Sequence, residues 1–145
     1  MTTRLATRSV RAADAESLVP LFAALSHPAT PAQLRSRLER LAGDPAYEAW
    51  GVESETAQLV GFAAGHLLFP IEDDVPAAQL IALVAAGNAR GRGVGTALCT
   101  AFEQWARGQG AARALLNSSS TRGGAHAFYT RRGYTASGVR FTKPL

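Results

Sequence analysis

Lysine is almost missing from this chain of 145 residues: Lys143 stands alone against fourteen arginines. A P-loop, G-x-x-x-x-G-K-[ST], is therefore excluded. Cysteine is as scarce. Cys99 has no partner for an intramolecular disulfide, which fits a reducing cytoplasm. Its place among helix-spaced apolar residues points to a packed thiol rather than a nucleophile. No apolar run is long enough to span a membrane, and Met1-Thr2-Thr3-Arg4 lacks the apolar core of a secretory signal. A cytoplasmic protein with no membrane partner is expected. No His, Cys and carboxylate spacing suggests a metal site, so none is expected. Acidic residues are absent between Asp74 and Glu103 and again after Glu103. That excludes a dinucleotide fingerprint, whose ribose needs an acid about 20 residues beyond the glycines.

What is present is 47 % apolar and long enough for one domain with a single sizeable core. The charge is divided unevenly. Residues 1–75 carry six arginines and ten acids, net −4, whereas residues 76–145 carry eight arginines, Lys143 and one acid, net +8. A nucleic-acid surface is one reading of the basic half, but no recognition helix or aromatic RNA-binding signature accompanies it. A polyanionic small ligand is the other reading. The arginine-for-lysine bias amid many alanines reflects GC-rich coding and carries no function.

The apolar spacing predicts alternating elements. Residues 3–10 read as a first strand. Asp14 caps a helix bearing Leu18, Leu21, Phe22 and Leu25, ended at His27-Pro28. Pro31 opens a second helix with Leu34, Leu38 and Leu41, stopped at Gly43-Asp44-Pro45. Residues 47–53 and 58–68 bracket Ser54-Glu55-Thr56-Ala57 as a hairpin. A strand follows over 78–85, then a helix from about Gly93 to Gly108-Gln109-Gly110. A short strand over 113–118, a helix over 124–132 and a final strand over 139–143 complete the chain. Strands and helices are mixed, and the hairpin makes a mixed α/β (α+β) fold with a mixed sheet the expected architecture.

The most informative stretch is Arg90-Gly91-Arg92-Gly93-Val94-Gly95. It lies between the apolar strand Leu80-Ile81-Ala82-Leu83-Val84 and a helix whose face carries Val94, Leu98, Phe102 and Trp105. A glycine turn at a helix start presents backbone N–H groups and a positive dipole end to an anion. Glycine lets phosphate oxygens approach the main chain, and the arginines add charge. A phosphorylated ligand is expected there.

A second cluster, Ala125-His126-Ala127-Phe128-Tyr129-Thr130-Arg131-Arg132-Gly133-Tyr134, sets Ala125, Phe128 and Tyr129 on one helix face. Arg90-x-x-Gly93-x-Gly95 after an apolar strand, followed by Phe128-Tyr129-x-x-x-Gly133-Tyr134, resembles the GNAT superfamily of acyl-CoA-dependent N-acyltransferases. Arg11-Ala12-Ala13-Asp14 after the first strand, and Phe141-Thr142-Lys143 near the end, fit the same pattern. Ser118-Ser119 through Arg122, Ala125-His126 and Gly138-x-Arg140-Phe141-x-Lys143 look like its aminoglycoside-acetyltransferase-like group of small-molecule acylators. The resemblance implies a mixed, mostly antiparallel central sheet with a V-shaped splay between the fourth and fifth strands, flanked by about four helices. It also implies one N-acetyltransferase domain over residues 1–145.

The resemblance implies acetyl-CoA as cosubstrate and a primary amine of a small molecule or peptide as acceptor, joined by direct transfer in a ternary complex. Its pyrophosphate would meet Arg90, Gly91, Arg92, Gly93, Val94, Gly95 and Thr96. Its pantetheine arm would run along Leu83, Val84 and Ala85, close to Asn117, Ser118 and Phe128. Tyr129, four residues before Gly133, matches the family's tyrosine acid, and a phenol with an ordinary pKa of about 10 suits a departing thiolate. The same position also suits a packing aromatic. Homodimers are common in the resembled group.

Three departures bear on the acceptor. The strand before the turn reads Gln79-Leu80-Ile81-Ala82, without the glutamate many members carry. Proton removal then falls to His66, to Glu72-Asp73-Asp74 or to water, His126 reading as a surface or supporting residue. Arg122 replaces an asparagine seven residues before the tyrosine, and Gly87-Asn88-Ala89 replaces a proline-containing approach to Arg90. His27-Pro28 and Glu72-Asp73-Asp74 are the expected rims of an acceptor pocket, the acids suiting a cationic amine. A non-catalytic acyl-CoA-binding or sensor domain would keep the glycine turn without transfer. A nucleic-acid module would show steep salt dependence; no nucleic-acid partner is expected.

Overall fold

A computed structural model describes residues 5–118 and 123–145. The elements run β1 (Thr7–Ser9), α1 (Ala15–Ala24), α2 (Pro31–Ala42), β2 (Tyr47–Glu53), β3 (Leu59–Leu68), β4 (Ala77–Ala85), α3 (Val94–Gly108), β5 (Arg113–Leu116) and α4 (Gly123–Arg131). The strands form one sheet in sequence order, antiparallel throughout except for the parallel pair β4–β5. The mixed, mostly antiparallel sheet is as expected from the sequence.

Local chemistry accounts for the helix starts on the acidic side. Thr30 and Gln33 form a reciprocal capping box, with Gln33 N–H donating to Thr30 Oγ1 at 3.1 Å and Thr30 N–H to Gln33 Oε1 at 2.9 Å, and Pro31 opens α2. The helix α1 ends in a Schellman motif. Ser26 N–H donates to the Ala23 carbonyl at 3.0 Å and His27 N–H to the Phe22 carbonyl at 3.1 Å. Ser26 adopts φ +64°, a left-handed conformation uncommon outside glycine.

The sheet separates two apolar layers. On one face α1 and α2 place Leu18, Leu21, Leu34 and Leu38 against Phe62, Ala64 and Val84. On the other, α3 places Val94, Leu98, Cys99 and Phe102 against Trp50, Val52, Ala63 and Leu80. The helix sits close because β3 has a glycine beneath it: a Cβ at Gly65 would lie 2.8 Å from Phe102 Cδ1. Burying Phe102 completely stabilises the fold by about 3 kcal/mol relative to leaving it exposed.

One irregularity sets up the site. Ala64 pairs with Ala82 but Gly65 pairs with Leu80, so Ile81 is an extra residue on β4, a β-bulge. The side-chain alternation of β4 reverses across it. Ala78 and Leu80 belong to the α3 face, whereas Val84 lies on the α1–α2 face and Leu83 and Ala85 now turn toward α3.

Three sequence expectations need correction. The first strand is shorter than residues 3–10; residues 1–4 lie outside the described residues. The strand expected over 113–118 ends at Leu116. The final strand over 139–143 does not form, leaving Val139 79 % and Phe141 90 % exposed. Alternating Val139 and Phe141 suit a pleated surface, but a strand exists only through a partner's hydrogen bonds, which a local pattern cannot supply.

Candidate functional site

The β4–β5 ladder runs from Ala77–Arg113 to Leu80–Leu116 and stops at the bulge. Beyond it β4 continues to Ala85 while β5 ends, and Asn117 and Ser118 are no longer in the ladder. The two strands therefore splay. The β5-facing edge of β4 over residues 81–85 has no strand partner among the described residues. Such an edge is a template for an extended ligand with amide groups.

A cavity of about 730 Å3 occupies the splay, lined by β4, the glycine turn, the start of α3, the end of β5 and α4. It brings together Leu83, Val84, Ala85, Arg90, Gly91, Gly93, Val94, Gly95, Thr96, Asn117, Ser118, Phe128 and Tyr129. Of the coenzyme-site residues expected from the sequence only Arg92 falls elsewhere. Its side chain lines a separate hollow with Leu5, Thr7, Arg8, Glu53 and Asn88, and its N–H is engaged by the Ala89 carbonyl at 3.3 Å. Alternate residues of an irregular turn point to opposite sides, a distinction that composition alone does not carry. Ser119 and Arg122 lie outside the described residues.

The turn is built for an anion. Gly91 and Gly93 have φ +80° and +83°, which L side chains rarely adopt. Gly93 is the N-cap of α3 and provides no side-chain cap; the first intrahelical bond is Ala97 N–H to the Gly93 carbonyl at 2.9 Å. The N–H groups of Gly93, Val94, Gly95 and Thr96 precede that bond and have no partner within the helix. Together they create the positive potential at the helix start that favours a phosphate. Gly95 also faces α4: a Cβ there would just touch Phe128 Cζ, at 3.4 Å.

Tyr129 is part-buried, edge-on to Phe128 at 5.3 Å and to Tyr134 at 5.9 Å between ring centroids. Burial pushes the Cys99 thiol up to about 11, so at neutral pH it is a protonated core group, consistent with the packed thiol read from the sequence.

The proton acceptors proposed from sequence do not reach the cavity. His66 stacks on Tyr47 at 4.1 Å. Asp73 Oδ1 accepts the Val75 N–H at 3.1 Å in an exposed turn, and Glu72 and Asp74 are exposed beside it. His126 is exposed and outside the lining. His27 does line the cavity, with Leu25 and Ile81. The sequence expects His27-Pro28 and Glu72-Asp73-Asp74 at the rims of an acceptor pocket; His27 follows the left-handed Ser26 turn into the lining, whereas the three acids lie outside it. Arg131 also lines the cavity, and among the described lining residues there is no carboxylate.

A sequence model of the acetyltransferase (GNAT) family matches residues 15–134. An aminoalkylphosphonate N-acetyltransferase of Salmonella typhimurium is 34 % identical over 88 residues, 61 % of this chain and 57 % of that protein. The chain thus spans little more than half the length of that relative. The fold is similar to a GNAT family acetyltransferase of Staphylococcus aureus, with TM-score 0.83 and 22 % identity over 99 % of this chain and 100 % of the other. It is also similar to an aminoglycoside acetyltransferase from an uncultured soil sample, crystallised with sisomicin, with TM-score 0.79 and 20 % identity over 97 % and 96 % of the two chains.

Proposed function

The chain belongs to the acetyltransferase (GNAT) family, and from that premise we propose that it transfers an acetyl group from acetyl-CoA to a primary amine of a small molecule or peptide, directly, within a ternary complex. Residues 1–145 would form one such domain, working in the cytoplasm, where the lone Cys99 stays reduced. The observation that carries this reading is the splay between β4 and β5 opening onto the uncapped start of α3.

The coenzyme pyrophosphate lies against the N–H groups of Gly93, Val94, Gly95 and Thr96, with Arg90 beside it. The pantetheine arm adds its amides to the free edge of β4 around Leu83 to Ala85, opposite Asn117 and Ser118. Phe128 packs against the arm. The net +8 of residues 76–145 concentrates an anionic coenzyme near the turn.

The acceptor nitrogen must be neutral to attack the thioester carbonyl. Attack forms the C–N bond, the C–S bond breaks, and the leaving sulfur takes a proton from the Tyr129 hydroxyl. The nitrogen sheds its extra proton to water or to His27; imidazole is the side chain that takes protons near neutral pH. Beyond Arg90, which stands beside the pyrophosphate, Arg131 lines the cavity with no carboxylate among the described lining residues, which supports an amine bearing its own anionic group. A polyamine or aminoglycoside would find no counter-charge there.

A thiol-release assay with acetyl-CoA tests this, run over 2-aminoethylphosphonate, amino acids, a polyamine, an aminoglycoside and a peptide. Release with the anionic amines is the expected result. Release with the polycations alone overturns the acceptor class, and coenzyme binding without release from any amine establishes the sensor reading instead.

A further inference from the structure

The helix α4 carries the two aromatic side chains that face the cavity, yet much of its surface is bare: Gly124, His126, Ala127, Thr130 and Arg131 are exposed. One anchor is Phe128 against Gly95. The other is polar and lies just past the helix. Glu103 of α3, the sole acid after Asp74, accepts from two groups of the α4 end. Arg132 Nη2 donates to Oε1 at 2.8 Å and the Tyr134 hydroxyl to Oε2 at 2.8 Å. The Glu103 and Arg132 side chains are only 18 % and 19 % exposed. Both carboxylate oxygens are thus used, in charge-assisted bonds shielded from solvent.

Tyr134 connects this anchor to the cavity. Its N–H donates to the Tyr129 carbonyl at 3.0 Å, and its ring meets the Tyr129 ring edge-on, 5.9 Å apart at 71°. We propose that Glu103 and Tyr134 are positioning residues for Tyr129: the carboxylate fastens the end of α4 to α3, and the Tyr134 ring fixes where the Tyr129 hydroxyl stands. This rests on the proton-donor role given to Tyr129 above. Adjacent arginines divide the work, Arg131 facing the cavity and Arg132 facing Glu103. Burial and the Glu103 carboxylate both push the Tyr134 phenol well above its ordinary value, so it remains a donor across the working range. Arg132 Nε is buried without a partner among the described residues, so the guanidinium is held by its Nη2 contacts with Glu103 and Thr100.

The test is a double-mutant cycle read as kcat and as KM for acetyl-CoA, with the amine that the thiol-release assay identifies. Tyr134→Phe keeps the ring and removes the bond to Glu103. It should lower kcat about 10-fold, as a small misplacement of a reacting group does, and move KM by no more than about twofold. In a Tyr129→Phe background the same change should cost nothing further. Losses that multiply, or an unchanged kcat in Tyr134→Phe, overturn the proposal.

Hydrogen exchange supplies a readout independent of turnover. In Tyr134→Phe and Glu103→Gln the amides of residues 124–131 should exchange about 10-fold faster while α1 and α2 keep their protection. Unchanged exchange in α4 also overturns it. Full turnover in Tyr129→Phe would remove the proton assignment of the previous section, leaving exchange to decide whether Glu103 and Tyr134 hold α4.

Discussion

Among the described residues, each half of this chain ties its elements together with one ionic cluster, and the two are mirror images in charge. In the acidic half Arg8 stands between Asp14 and Glu53, joining β1 to the turn before α1 and to the end of β2. In the basic half Glu103 stands between Arg132 and Tyr134. Each hub is the minority charge of its neighbourhood. They differ in exposure: the side chains of Arg8 and Glu53 are each 40 % exposed, against 19 % and 18 % for Arg132 and Glu103. Asp14 is 19 % exposed, but water already solvates the Arg8–Glu53 pair, so that pair contributes little. The second hub replaces water, so losing one partner strands the other. The acidic half is held by apolar packing that would persist without its ions, whereas α4 depends on its cluster.

Glu103→Ala should break this comparison most severely, costing about 3 kcal/mol through the uncompensated Arg132 guanidinium. Glu53→Ala should cost about 0.5 kcal/mol, as exposed pairs do. Urea titrations of both variants check this, and equal losses would erase the distinction.

Tyr129→Phe comes next. Its kcat should fall about 100-fold, near 2.7 kcal/mol of transition-state stabilisation, with coenzyme A affinity almost unchanged. Calorimetry alongside turnover separates the two quantities, and retained turnover would dismiss Tyr129 as the acid.

The two glycines of the turn should then part company. Gly93→Val forces a β-branched residue to φ +83° and crowds the N–H groups, weakening coenzyme A binding about 10-fold. Gly95→Ala sets its methyl against Phe128 and should act mainly through α4, lowering kcat more than affinity. A larger affinity loss at Gly95 than at Gly93 would contradict this placement.

The smallest effect concerns acid. The hydrogen bond from Arg8 holds the Asp14 carboxyl below its ordinary 3.8, with the Arg11 N–H assisting and burial opposing. A depressed carboxylate contributes stability that is present above the unfolded value and lost as pH falls through the folded one. Wild-type stability should therefore drop below about pH 4, and Arg8→Met should flatten that decline in melts run from pH 6 to pH 2.

Much of this was legible in the residues. The glycine turn could be recognised because positive φ and close anion approach demand glycine at particular places, and α3 because Val94, Leu98 and Phe102 recur at helical spacing. The first helix pair followed from the spacing of Leu18, Leu21 and Phe22 and from Pro31; Asp14 does stand at the N-cap of α1, but its carboxylate accepts the Arg11 N–H rather than an N–H of the helix, and the Thr30 cap was not read. The Ile81 bulge was hidden, since Gln79-Leu80-Ile81-Ala82-Leu83-Val84 reads as an unbroken apolar strand in either phase. His27-Pro28 was legible as a pocket rim, but the Ser26 conformation that carries His27 there was not, because nothing local marks Ser26 as left-handed. Glu103 and Tyr134 are 31 residues apart in the chain, and no periodicity relates them.

By itself, then, the sequence determined the elements and the anion turn, which depend on backbone preferences and on spacings of a few residues. The tertiary structure alone decided that β4 and β5 part at Leu80 and Leu116, that Arg92 and the acids Glu72, Asp73 and Asp74 lie outside the cavity lining, and that residues 139–143 stay unpaired. Each of these depends on which distant main-chain or side-chain group stands opposite, and that partner is chosen by packing the whole sheet.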